Sequence, residues 1–255
     1  MLTYEERKRR ERYIAKKRRR KHKRNIQLMK RLVLIAVIIG LVVLVFHGLK
    51  DKTPSKDNQS NDTIQDLEKG FQQKVINQTP DYQVKLLTPN EYSRPQIALE
   101  KVKGIVIHYT ANPGTTAIQN RGYFESLKDT RQTKASSHFV VGIEGEIVQC
   151  IPSGEIAYAS NDRNQDTLSI ECCHQDESGQ FTQETYDSLV ELTAWLCGKF
   201  NVPVENVIRH YDVTGKECPL YYVEHEDAWK RLKQDIQNYL DTKGVKPDKN
   251  SVKIQ

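Results

Sequence analysis

The chain reads as an α/β protein, a mixed central β-sheet with helices packed on its faces, preceded by a single transmembrane helix. Three observations predict this. Short β-branched apolar runs alternate with runs at helical spacing in the order β-α-β-β-β-α-β-α. Two of the strand-like runs are joined by Glu144-Gly145 alone, a hairpin signal that sets an antiparallel pair into the sheet. Far upstream, residues 32–46 run LVLIAVIIGLVVLVF without a charge.

The 255 residues carry a formal net charge of +6, which averages two unlike parts. Residues 1–31 hold 15 Lys and Arg against three Glu, or +12, and leave the remainder at −6. Such a basic run buries no core and reads as a solvated tail. With His47, Gly48 and Leu49 the apolar stretch extends to 32–49, long enough to span a bilayer. It has no polar face, unlike a helix that lies against a soluble core. A cleavable signal peptide is the alternative, but the charged region is long and no small-x-small site follows Phe46. The positive-inside rule puts residues 1–31 in the cytoplasm, against an anionic leaflet, and the rest outside the cell membrane. The acidic remainder argues against nucleic acid as a partner. Residues 50–81 have linker composition, and about thirty flexible residues span roughly 30 Å. Residues 82–242 are globular, and 243–255 form a polar tail.

Within the globular part, Pro89-Asn90 and Arg94-Pro95 mark turns. Residues 102–107 form a buried strand that ends in His108 and a loop to Gly114. His108 is either a hydrogen-bonded structural histidine or a ligand. Residues 115–127 follow as a helix with Thr115 or Thr116 as cap, Phe124 and Leu127 on one face and Gln119 or Asn120 opposite. The hairpin strands are 138–143 and 146–151, and a polar loop covers 161–166. The strand 167–173 places Ser169, Glu171 and Cys173 on one face, so Glu171 is either an edge charge or aimed into a site. Residues 182–200 make the clearest helix, with Thr182 and Thr185 offering N-caps and Gly198 and Pro203 as terminators. A last amphipathic helix covers 223–240 through Ala228, Trp229, Leu232, Ile236 and Leu240.

Between those helices an apolar run, 202–208, leads into Arg209-His210-Tyr211-Asp212-Val213-Thr214-Gly215-Lys216-Glu217-Cys218-Pro219. A turn beside a strand end can aim two side chains at one point. His210 and Cys218 are both good zinc ligands, and Lys216 brings a cation near. The plainer reading is a polar loop with one buried cysteine. Asp212 either orients a ligand histidine or caps the turn. Five cysteines without a CxxC pair do not build a disulfide scaffold. Cys150, Cys172, Cys173 and Cys197 are expected as buried free thiols, with two disulfides as the alternative.

His108 after a buried strand, Ser137-His138-Phe139-Val140, Ser169-Ile170-Glu171 and His210-x-Asp212-x-x-x-Lys216-x-Cys218-Pro219 occur together in this order. That set resembles the zinc-dependent N-acetylmuramoyl-L-alanine amidases, which share a fold with phage amidase lysozymes and animal peptidoglycan recognition proteins. The resemblance covers about residues 92–240 and none of the tail, span or tether. It implies Zn2+ as cofactor, held by His108, His210 and Cys218. It also implies Glu171 as catalytic base and Lys216 as stabiliser of the oxyanion. The implied reaction hydrolyses the amide between N-acetylmuramic acid and L-alanine in peptidoglycan, carried out by a monomer. The competing expectation is a module of the same fold that binds peptidoglycan without cutting it. One departure stands out: some members have a catalytic tyrosine before the histidine matched by His138, and here that position is Ser137.

Overall fold

A computed structural model describes residues 73–247. The transmembrane helix expected over 32–49, the basic tail and most of the tether lie outside the described residues. Among the described residues no helix is long and apolar enough to cross a membrane.

Six strands form one mixed sheet in the order β1-β4-β3-β5-β2-β6. They are β1 (Gln83–Val84), β2 (Gly104–Tyr109), β3 (Phe139–Val141), β4 (Ile147–Gln149), β5 (Thr167–Cys172) and β6 (Val207–Arg209). Only the β3–β4 hairpin is antiparallel, with Gly145 in the left-handed region (φ 83°) at its turn. The helices are α1 (Ala117–Thr130), α2 (Gln183–Phe200), α3 (His210–Thr214), α4 (Leu220–Glu224) and α5 (Glu226–Lys243). β2 and β5 lie inside the sheet and are covered on both faces, which explains their nearly unbroken apolar composition.

The two faces of the sheet are covered differently. On one, Ile105, Ile107, Phe139, Val141, Leu168, Ile170 and Cys172 pack with Leu189, Leu192 and Leu196 of α2 and Trp229, Leu232 and Ile236 of α5. On the other, Val140, Val148, Cys150 and Cys173 pack with Ala117, Phe124 and Leu127 of α1. Alternation along a strand therefore turns His108, Ser169 and Glu171 to the α1 side of the sheet. That second cluster draws no residue from β2 or β6, so the β2–β6 side is left for polar groups.

The helix caps follow from sequence. Thr116 and Gln119 form a reciprocal capping box at the start of α1, and Thr182 accepts from the Thr185 backbone at the start of α2. Several expectations need correction. Asn120 lies on the buried face of α1, because its amide reaches Thr115 Oγ1, the Thr116 carbonyl and Cys173 Sγ. Gly198 does not end α2. It sits inside the helix because a Cβ there would lie 2.5 Å from the Lys74 carbonyl, and Asn201 (φ 52°) makes the left-handed C-cap instead. The stretch after β6 opens with a short helix, α3, that the sequence did not announce, and the turn bracketed by Gly215 and Pro219 follows it. The helix expected over 223–240 is two, α4 and α5, parted at His225.

Residues 73–81, assigned above to the tether, also pack on the domain. Val75 and Val245 exchange backbone hydrogen bonds of 2.9 and 3.0 Å, and Ile76 is buried. A bridge between segments 170 residues apart leaves no trace in local periodicity. All five cysteines are buried and free, in agreement with the thiol expectation.

Candidate metal centre and active site

The site is built where β2, β5 and β6 end together. β2 and β5 pair in parallel with His108 opposite Glu171. Adjacent parallel strands lie about 4.8 Å apart, so both side chains rise from neighbouring points on one face. His108 Nδ1 is 4.0 Å from Glu171 Oε1. β6 then delivers His210 from the first position of α3.

The loop carrying His210 and Cys218 is anchored by Arg209. Its guanidinium bonds both Asp212 oxygens, at 3.1 and 2.9 Å, and reaches the Tyr222 carbonyl and Glu226, each at 2.8 Å. Asp212 also accepts the Arg209 backbone N–H at 2.9 Å. Asp212 therefore caps α3, which settles the alternative left open above. Gly215 (φ 76°) ends α3, and the Tyr211 N–H to Cys218 carbonyl bond of 2.9 Å folds the loop back. The Cys218–Pro219 peptide is cis.

These elements bring His108, His210 and Cys218 together, with one ligand atom from each within 4.8 Å of the others. Cys218 Sγ is 3.8 Å from His108 Nδ1, and the two imidazole centroids are 4.7 Å apart. All three residues are buried. Glu171 stands beside them with Oε2 buried and without a hydrogen-bond partner. Lys216 is exposed, yet its charge is felt at His108, His210, Glu171 and Cys218.

The electrostatics follow from burial. Desolvation, the neighbouring His210 and the Lys216 cation hold His108 well below the usual histidine range. Desolvation and Lys216 lower His210 to about 4. Both rings are thus neutral and able to donate a lone pair. Desolvation raises the Glu171 carboxyl to about 8 although Lys216 opposes it, and desolvation with Glu171 nearby raises the Cys218 thiol to about 12. Burial alone keeps both acids protonated, and a dication among them would reverse that preference. Two neutral imidazoles, a thiol and an unpartnered carboxyl oxygen form a donor set that fits zinc.

Ser137 does not take the place of a tyrosine. It is fully buried and its hydroxyl is committed to the Phe139 and Ser169 carbonyls, each at 2.9 Å. His138 is structural: Ser169 N–H donates to its Nδ1 at 3.0 Å, and its Nε2 lies 2.9 Å from the Glu155 carbonyl. Two residues that local sequence reading missed touch the ligand rings. Ser160 Oγ is 3.2 Å from His108 Nε2, and Asn161 Oδ1 is 3.0 Å from His210 Nε2. They lie about fifty positions from their partners, and only the polar character of their loop hinted at a role.

Strand ends that gather two imidazoles, a thiol and a buried carboxyl offer the donors of a metal site beside an acid–base group. Comparison with known proteins adds to this: residues 98–220 match the family described as N-acetylmuramoyl-L-alanine amidase. The chain is 34% identical over 169 residues to N-acetylmuramoyl-L-alanine amidase CwlL of Bacillus licheniformis, covering 61% of this chain and 46% of that protein. It is 31% identical over 177 residues to N-acetylmuramoyl-L-alanine amidase BlyA of Bacillus subtilis strain 168, covering 61% and 47%. The chain thus spans about half the length of these curated relatives. Among solved structures, that of PlyL superposes with a TM-score of 0.54 at 26% identity, over 62% of this chain and 97% of that one. The PlyG catalytic domain gives 0.55 at 26% identity, over 66% and 100%.

Proposed function

We propose that the chain is a zinc-dependent peptidoglycan amidase that hydrolyses the bond between the lactyl group of N-acetylmuramic acid and L-alanine. The observation that carries this reading is the convergence of His108, His210 and Cys218 beside the unpartnered Glu171 oxygen, among residues that match that family. In this reading His108, His210 and Cys218 hold the ion. A zinc ion held there would supply Lewis acidity toward the carbonyl and toward water.

The remaining work falls to side chains. Glu171 takes the proton from the attacking water and returns it to the amide nitrogen as the C–N bond breaks. Its buried, unpartnered oxygen is free for this exchange. Lys216 offers its cation to the carbonyl oxygen as that atom becomes negative. No tyrosine precedes His138, so Glu171 serves both proton steps. Every group comes from one chain, so a monomer suffices.

Residues 32–49 would anchor the enzyme, with residues 1–31 cytoplasmic and the amidase domain facing the wall. The charge bias of +12 in those first residues supports that orientation. External protease added to intact spheroplasts should then digest the domain and spare the tail. Digestion only after lysis would reverse the topology.

The test of activity is incubation of the full chain, in detergent micelles with zinc, with purified peptidoglycan, followed by mass analysis. Release of free stem peptides with an N-terminal L-alanine is expected. Binding to the polymer without release would make the domain a non-catalytic binding module.

A further inference from the structure

We infer that Ser160 and Asn161 are positioning residues that together fix both ligand histidines in the tautomer presenting Nδ1 to the metal, a role that rests on the zinc reading above. A neutral imidazole carries one N–H, and the nitrogen that bears it cannot coordinate. Asn161 Oδ1 only accepts, so at 3.0 Å it draws the proton of His210 onto Nε2. Ser160 Oγ, buried and 3.2 Å from His108 Nε2, can accept the proton of the second ring, and the Cys218 thiol 3.8 Å from Nδ1 favours this direction by donating toward that nitrogen's lone pair. The opposite nitrogen of His108 then faces Cys218 Sγ at 3.8 Å and Glu171 at 4.0 Å, the side where an ion would sit.

The two partners are consecutive, and the backbone is shaped to make that work. Asn161 has φ 53°, in the left-handed region that asparagine tolerates better than most residues. This bend lets neighbouring side chains reach two rings whose centroids are 4.7 Å apart. The loop is held in turn by Asn164, whose Oδ1 accepts from the Ala159 and Ser160 backbone N–H groups at 3.1 and 2.6 Å. One loop therefore sets the orientation of ligands from a strand, β2, and a helix, α3.

The test uses the full chain in detergent micelles, 15N-labelled at histidine. Metal-free wild type should show Nε2–H for His108 and His210. Ser160→Ala should mix the His108 tautomers, and Asn161→Gly, which keeps the backbone freedom but removes the acceptor, should mix those of His210. Each variant should weaken zinc binding roughly 10–100-fold in competition with a chromophoric chelator, whereas Asn161→Asp should stay within about threefold of wild type. Nδ1–H in the wild-type rings, or unchanged tautomers and zinc affinity in Ser160→Ala and Asn161→Gly, would overturn the inference. If either variant fails to fold, the wild-type tautomers and Asn161→Asp still decide it. A wild-type chain that binds no zinc overturns the proposed function instead, and the metal-free tautomers remain readable.

Discussion

Glu171→Gln separates chemistry from folding at this site. The amide has nearly the shape of the carboxyl, so the packing beside His108 and the unpartnered Oε2 position are kept. What is lost is the ability to take and return a proton. General acid–base catalysis contributes about 10²–10⁴ in rate, or roughly 3–5 kcal/mol of barrier. Stability should move the other way. Without metal, desolvation raises the Glu171 carboxyl from 4.5 to about 8 in the folded protein. A carboxyl raised on folding costs nothing below its unfolded pKa, then destabilises the native state progressively as pH climbs to the folded value. Removing it should therefore make the metal-stripped chain more stable at pH 8 by about 2–4 kcal/mol, and leave it unchanged near pH 4. The assays are stem-peptide release from purified peptidoglycan by mass analysis, denaturant unfolding at the two pH values, and zinc stoichiometry. Hydrolysis within about threefold of wild type, against the expected 10²–10⁴ loss, would refute the assignment of Glu171 as base.

Three other outcomes follow from the described structure. Cys218→Ala removes a ligand atom 3.8 Å from His108 Nδ1, so zinc affinity should fall by more than the roughly 10–100-fold that losing an outer hydrogen bond costs; unchanged affinity by chelator competition would remove Cys218 from the site. Gly198→Ala places a Cβ 2.5 Å from the Lys74 carbonyl and 3.0 Å from Val75 Cα, both backbone atoms, so it should cost about 1–3 kcal/mol in denaturant unfolding and speed hydrogen exchange at the Val75 amide. Glu125 loses some solvation, but Lys128, Thr88 and Arg121 outweigh that loss and hold its carboxyl at about 2. This stabilisation is complete above the unfolded value of about 4.5 and is lost as pH falls toward 2; Glu125→Gln should remove roughly 1–3 kcal/mol at pH 7 and flatten the acid limb of the stability curve.

Much of the fold was legible because its signals are local. Glu144-Gly145 marked the hairpin, Thr182 was one of two threonines offered as the cap of α2 and is the one used, and alternation along 167–173 put Ser169, Glu171 and Cys173 on one face. The structure brings the expected residues His108, Glu171, His210 and Cys218 together, and the parallel register of β2 and β5 explains why His108 and Glu171 meet. What was not legible depends on distant neighbours. Asn120 reads as polar and outward until Cys173 and Thr115 are placed around it. Gly198 reads as a helix stop until Lys74 is packed against it. β1 is only two residues long and both are exposed, so no hydrophobic pattern announces it. Ser160 and Asn161 look like ordinary loop residues until the rings arrive from β2 and α3.

The His108–Glu171 register divides the constellation into a stiff half and a yielding half. Those two residues hang from one hydrogen-bonded ladder in the middle of the sheet, so their separation changes only if the sheet itself comes apart. His210 and Cys218 depend on the Arg209 brace and a loop closed by a few contacts. Warming should therefore blur the thiol side of the cluster well before it moves the carboxylate, so that the three-residue cluster loosens while His108 and Glu171 are still held in place.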